Sequence, residues 1–299
     1  MSYYEWGTDY IVANKAFKMQ IDEELKQPSK VFGATYQDLN NPYFIELNQG
    51  IKDSLASKGD QLIVLDGRLD IKEQIKMIER LIDHKVDAIF LAPVDWIGIE
   101  PALESANAAG VPIFNVSTPV YNQDMVVNVI EFDNYDAGVQ NATYMMELLD
   151  SAKIAIIERT GVKASDDRVK GFLDTIAGED AIPVMEKILK EHPEINVVYA
   201  VDDPTAIGAI DALESAGKID EVSVFSIDGS PTAKRLVKQG KMAATAGAAP
   251  YTLGQVAVQE AYKYFDGRPI EKIILLPVKL ITKENVDDYG ITDWQVFDL

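Results

Sequence analysis

Short apolar runs alternate with amphipathic stretches from Val31 onward. "VFGATY" is followed by a segment whose Phe44, Leu47, Ile51 and Leu55 recur at three- and four-residue intervals and which stops at Gly59, the pattern of a strand and then a helix. The order repeats. "LIVLD" (62–66) precedes "DIKEQIKMIERLIDHK", with Ile71, Ile75, Ile78 and Ile82 on one face; "DAIFLAP" (87–93) precedes "IGIEPALESANAAG"; "VPIFNV" (111–116) precedes "MVVNVIEFDN". A second series starts at "KIAIIE" (153–158) and runs through "DDRVKGFLDTIAG", "IPVMEKILKEHP", "INVVYAV" (195–201), "TAIGAIDALESAG", "VSVFSID" (222–228), "SPTAKRLVKQG" and "KMAATAG". One long helix, "YTLGQVAVQEAYKYFDG", and one strand-like run, "IILLPVKLI", close the chain. Strands apolar along their whole length and separated by crossover helices predict an α/β fold with doubly wound parallel sheets. The restart predicts two similar lobes, joined by short ordered crossings because no low-complexity linker separates them.

Composition narrows this reading without redirecting it. At 299 residues the chain is long enough for two cores. No apolar run approaches the length of a membrane span. The N-terminus, "MSYYEWGTDYIVANKAF", lacks the basic start and apolar centre of a secretory signal, so the protein is expected either to stay inside the cell or to be a mature form. A net charge of −20, spread along the chain, repels phosphate backbones and argues against nucleic acid as a partner. With no cysteine there is no disulfide framework, thiol nucleophile or thiolate metal site.

In open parallel sheets ligands bind beyond the carboxyl ends of the strands. Here those ends carry Asp38 and Asn41, Asp66, Asp95 and Trp96, Asn115 and Ser117, Asp133 and Asn134, Asp202 and Asp203, and Asp228. Each also suits the cap of the following helix, so one such residue alone does not mark a site. The motifs of nucleotide enzymes are missing. No glycine-rich phosphate loop follows the first strand, and the serine of "SIDGSPT" lacks a nucleophile elbow. The two histidines, His84 and His192, fit solvated helix ends. Adjacent carboxylates such as Asp202 and Asp203 leave acid/base chemistry open.

"NPYF" after the first strand, "VDAIFLAPVD", "AGVPIFNVST", "FDNYDAG", "DRVKGF", "HPEINVVYAVDDPTAIGAIDALESAG", "VFSIDGSP" and "GKMAATA" occur in an order and spacing that resemble the type I periplasmic binding proteins of the ribose-binding kind. Those are the sugar receptors of ABC importers, and the resemblance runs from about Val31 to Glu284. It implies two lobes joined by a multi-crossing hinge, with boundaries at 31–133 plus 249–277 and 134–248 plus 278–299, after a lead segment of residues 1–30. It also implies a solute receptor that is not an enzyme, needs no cofactor or metal, works as a monomer and hands a sugar or polyol to a permease outside the cytoplasm. By the same resemblance Asn41, Tyr43, Phe44, Ser117, Thr118, Asp166, Asp202 and Asp228 are the ligand-binding residues. A sugar offers hydroxyls at its edge and C–H groups on its faces, which amides, carboxylates and aromatic rings complement.

The chain departs from the family pattern at several of these positions. Ser117 and Thr118 stand where relatives often carry Asp-Arg, Asp166 where they often carry Arg, Asp202 for Asn and Ala248 for Gln. Loss of both arginines predicts an acidic pocket that rejects sugar phosphates and sugar acids, unless Arg159 or Arg168 enters it. Only Glu179, Asp180 and Ala181 separate "GFLDTIAG" from "IPVMEKIL", too few for the family's intervening strand. The rival reading is the effector domain of a sugar-responsive transcription regulator, which would carry a basic helix-turn-helix that residues 1–30 do not resemble.

Overall fold

The computed structural model describes residues 29–177 and 195–294. The lead segment, apart from its last two residues, therefore lies outside them, as do His192, the helix expected around 182–193 and the connection at 179–181 where a strand was expected to be missing. Strands β1 (Val31–Tyr36), β2 (Gln61–Asp66), β3 (Ala88–Leu91), β4 (Ile113–Val116) and β5 (Asn128–Phe132) alternate with helices α1 (Pro42–Ala56), α2 (Ile71–Asp83) and α3 (Glu100–Ala109). Helix α4 (Asn134–Leu148) leads into β6 (Ile154–Ile157), α5 (Lys163–Ala177), β7 (Val197–Ala200), α6 (Asp203–Ser215), β8 (Ser223–Asp228), α7 (Pro231–Gln239) and β9 (Ala244–Gly247). Helix α8 (Pro250–Phe265), β10 (Ile273–Leu276) and β11 (Lys279–Thr282) follow.

The strands form two sheets, in the orders β10-β5-β4-β3-β1-β2 and β11-β9-β8-β7-β6. All pairs are parallel except β11 with β9. The run "IILLPVKLI", expected as one strand, is two. Ile273–Leu276 pairs with β5 in the first sheet, while Lys279–Thr282 pairs with β9 in the second. Pro277 has no N–H to give a ladder and breaks the run where the chain changes lobe.

In both lobes a pair of helices crosses at glycine. A Cβ added to Gly50 of α1 would lie 2.1 Å from the Tyr251 carbonyl of α8, and one on Gly138 of α4 would lie 2.1 Å from the Arg168 carbonyl of α5. Only hydrogen fits at either place. The close approach lets Phe44, Leu47 and Leu253 pack under the first sheet and Phe172 stack on Tyr199 under the second, with ring centroids 4.1 Å apart. On α2 Ile78 is fully enclosed and Ile71, Ile75 and Ile82 pack half-buried against the same core, as periodicity selects, with Gln74, Met77 and Leu81 buried beside them. Gln74 is buried because its amide ties down the loop after β3, donating to Ala92 O at 2.9 Å and accepting from Val94 N at 2.7 Å.

Candidate functional site

The carboxyl ends of the two sheets face each other, and the residues that follow the strands line a cavity of about 50 Å3 between the lobes, space on the scale of a few water molecules. Two strand ends are unusual. Ser117, just after β4, has φ of 73°, and Asp228, the last residue of β8, has φ of 126°. Side chains other than glycine rarely adopt such values, and this strain turns both residues into the cleft from opposite sides.

The first lobe contributes Gln37, Asn41, Tyr43, Phe44, Ser117 and Thr118, none of them charged. Asn41 caps α1, its Oδ1 accepting from Tyr43 N at 2.9 Å, which leaves its amide donors for the cavity. Tyr43 and Phe44 meet edge to face at 5.2 Å, and Phe44 also stacks on Tyr36. The Tyr43 hydroxyl is buried with Ser117 as its polar neighbour, and burial holds its phenol far above the ordinary value against the pull of that contact. Thr118 is occupied: its hydroxyl accepts from Ala164 N of α5 at 3.1 Å, joining the lobes across the cleft.

The charges come from the second lobe. Arg159, after β6, donates to Asp202 Oδ2 at 3.0 Å, while Asp202 Oδ1 caps α6 through Thr205 N at 2.9 Å. Arg168 is held from three sides, donating Nε to Asn134 Oδ1 at 2.8 Å and Nη1 to Val201 O at 2.6 Å and to Asp228 Oδ1 at 3.5 Å. Asp228 Oδ2 is buried with no partner. Burial pushes the Asp228 carboxyl well above its usual range, against the pull of Arg168.

Behind the cavity, Asp203 holds the second lobe's strand ends together. Its Oδ1 accepts from Ser226 Oγ at 2.6 Å and Thr245 Oγ1 at 2.9 Å, and its Oδ2 from Ser230 N at 2.6 Å. Replacing Asp203 with Ala leaves three buried donors unpaired and should cost about 3 kcal/mol or more in urea unfolding. Burial raises this carboxyl to about 6 despite its hydrogen bonds. A carboxyl raised in the folded state keeps its proton better there, so its contribution to stability is present in acid and lost as pH rises through about 6. That pH dependence should be missing from the Ala variant.

The cavity thus brings together Asn41, Tyr43, Phe44, Ser117, Thr118, Asp202 and Asp228. Asp166 does not join them. It is exposed on α5, whereas Ser165 and Arg168 of the same helix line the cleft. Two residues along a helix turn the side chain by about 200°, which sends Asp166 outward when Arg168 points in. The expected acidic pocket is corrected with it, because Arg159 and Arg168 balance Asp202 and Asp228. Gln37, Arg159, Val162, Ala164, Ser165, Arg168 and Val201 were not selected from the sequence as binding residues. Gln37 and Arg159 stand just after β1 and β6, where the strand-end rule alone points to them. Among the described residues no group of His, Asp or Glu could hold a metal ion, and no helix is long and apolar enough to cross a membrane.

Two α/β lobes closing on a cleft of paired charges, amides and aromatic rings define a two-lobed binding protein. The chain belongs to the periplasmic binding protein family, whose domain model matches residues 32–269. It is 32% identical over 268 residues to the ribose import binding protein of Bacillus subtilis, covering 84% of this chain and 87% of that protein. Among solved structures it is similar to an ABC transporter solute-binding protein of Bacillus halodurans with bound myo-inositol, at 28% identity and a TM-score of 0.78, covering 87% of this chain and 97% of the other. A periplasmic solute-binding protein of Actinobacillus succinogenes with bound D-allose matches at 28% identity and a TM-score of 0.77, covering 87% of this chain and all of the other (100%). These relatives are substrate-binding proteins of importers, not enzymes, and they lend no support to the transcription-regulator reading.

Proposed function

We propose that this protein is the extracytoplasmic receptor of an ABC importer, a monomer that closes over one neutral sugar or polyol and presents it to a permease. The observation that carries this reading is the convergence on one cavity of the buried Tyr43 Oη from one lobe, with Ser117 as its polar neighbour, and the buried, unpartnered Asp228 Oδ2 from the other. Buried polar atoms are almost always hydrogen-bonded, and ligand hydroxyls would satisfy both at once. The aromatic pair would cover a ring or carbon chain, with Asn41, Ser117, Arg159, Arg168, Asp202 and Asp228 around its edge. The lobes, taken as 31–133 plus 249–277 and 134–248 plus 278–299, would part about their three crossings to admit it, since the closed cavity is too small for a monosaccharide.

Thermal-shift measurements against aldoses, inositols and acyclic polyols test this directly. At a hundredfold excess over Kd a ligand adds about 2.7 kcal/mol, which for a chain of this size raises Tm by about 4 °C. At least one neutral compound should do so, and its phosphate ester should not, because both arginines already have carboxylate partners. A panel without any stabiliser would overturn the reading.

A further inference from the structure

A buried chain of hydrogen bonds leaves the cavity and ends in the first lobe. Arg168 of α5 donates Nε to Asn134 Oδ1 at 2.8 Å, and Asn134 donates Nδ2 to Glu131 Oε2 on β5 at 2.9 Å and to Phe132 O at 3.0 Å. Asn134 opens α4, directly after the passage from first sheet to second, so the chain of bonds crosses where the lobes are joined. Its polarity is fixed at one end. Arginine Nε carries a hydrogen at any pH reached by a folded protein, so the oxygen of Asn134 must face it and the amide nitrogen must face Glu131. An ionised Glu131 can only accept, which locks this orientation. A protonated Glu131 no longer offers a full negative charge to the amide, and the grip of Asn134 on Arg168 loosens.

We propose that Glu131 and Asn134 are positioning residues for Arg168, a relay through which the charge state of the inter-lobe strand sets how firmly the cleft arginine is held. The inference rests on the reading of the cleft as a solute site for its biological meaning, but not for its geometry. Glu131 is faced by Lys163, Asp167 and Arg168 from α5, by Tyr43 from α1 and by Asn134 from α4. Burial and Asp167 raise its carboxyl to about 7, while Asn134, Lys163 and Arg168 pull it down. The switch therefore falls within the ordinary physiological range. Lys163 is itself paired with Asp167, and Arg168 meets Asp228 on its cleft side, so Glu131 is the carboxylate that acts on Arg168 through Asn134.

The test needs no ligand. In the full chain, the Arg168 Nε–Hε resonance should move with an inflection near pH 7 in a titration from pH 5 to 9, in step with the Glu131 carboxyl carbon. In Glu131→Gln, which keeps the shape, the Arg168 signal should lose the inflection near pH 7 and retain only the drift that Asp228, on its other side, imposes in acid. In Asn134→Ala the Glu131 carbon should still titrate, at a higher midpoint because its donor is gone, while Arg168 no longer follows. An Arg168 signal that ignores pH in the wild type, or that keeps its inflection in Glu131→Gln, overturns the proposal. Glu131→Gln also guards against misfolding of the Ala variant, since it removes charge and little else. With D-ribose, D-allose and myo-inositol as probes, any that binds should bind severalfold more weakly at pH 5.5 than at pH 8, and Glu131→Gln should flatten that difference. By reciprocity a bound probe should lower the Glu131 midpoint. Equal affinity at both pH values would likewise count against the relay. If none of the three binds, the solute reading loses ground while the resonance titration still decides the relay.

Discussion

Arg168→Ala should weaken cleft binding about a hundredfold and destabilise the fold at the same time. Among the described residues the guanidinium is the cation paired with the buried Asp228 carboxylate, and it also satisfies Val201 O and Asn134 Oδ1. Stripping one partner from a buried pair typically costs about 3 to 5 kcal/mol, because the other charge stays behind without compensation. A hydrogen-bonding cation lost from the site should lower affinity by about a hundredfold, or roughly 2.7 kcal/mol. Calorimetry with any stabiliser found in the thermal-shift panel measures the second effect, and urea unfolding the first. The stability loss should shrink as pH falls, since burial favours the protonated form of Asp228, which needs no cation beside it. Combining Arg168→Met with Asp228→Asn should return much of the stability and none of the binding. If the single variant unfolds normally at pH 8, the charge pair is less enclosed than its geometry implies.

Gly138→Ala should be as damaging without touching any polar group. The new methyl would sit 2.1 Å from Arg168 O and 2.6 Å from Phe172 N, so α4 and α5 would have to separate. Overpacking of this kind costs about 1 to 3 kcal/mol where side chains can yield, and more where the obstacle is backbone, as here. The separation would also draw Arg168 away from Asp228, so affinity should fall with stability. Gly208→Ala is the matching control. Gly208 lies in α6 with open space around its Cβ position, and alanine there should gain about 0.5 to 1 kcal/mol. Equal losses at both positions by chemical denaturation would remove the crossing as the cause.

Hydrophobic periodicity carried the fold because a strand buried on both faces leaves a near-continuous apolar run, as "VPIFNV" and "INVVYAV" do around β4 and β7. It failed at "IILLPVKLI", where two edge strands of different sheets abut and only Pro277 marks the joint. The aromatic pair was legible in part. Phe44 lies on the core stripe and Tyr43 off it, yet both are buried together and both reach the cavity, since the lobe–lobe contact offers a second place to bury a side chain. Helix phase was the information missing at α5. A shift of two residues exchanges Asp166 for Arg168 at the cleft, and with it an acidic site for a charge-balanced one. Capping could not be separated from cavity lining by sequence, because Asn41 and Asp202 do both. The Glu131–Asn134 bonds had no signature at all, being made by a strand end and a helix start that serve ordinary purposes as well.

Pro277 has a consequence for how such a chain comes to be finished. Strands β10 and β11, on either side of it, border β5 and β9, so one of the two edge strands of each sheet is supplied by one short stretch made after the other described strands. A nascent chain that has emerged as far as α8 has neither sheet complete, and both β5 and β9 then present bare ladders to the surroundings. The two lobes are therefore sealed in a single late event, not one after the other during synthesis. A lesion in that stretch, whether a frameshift, a nick or a premature stop, would strike both halves of the molecule together.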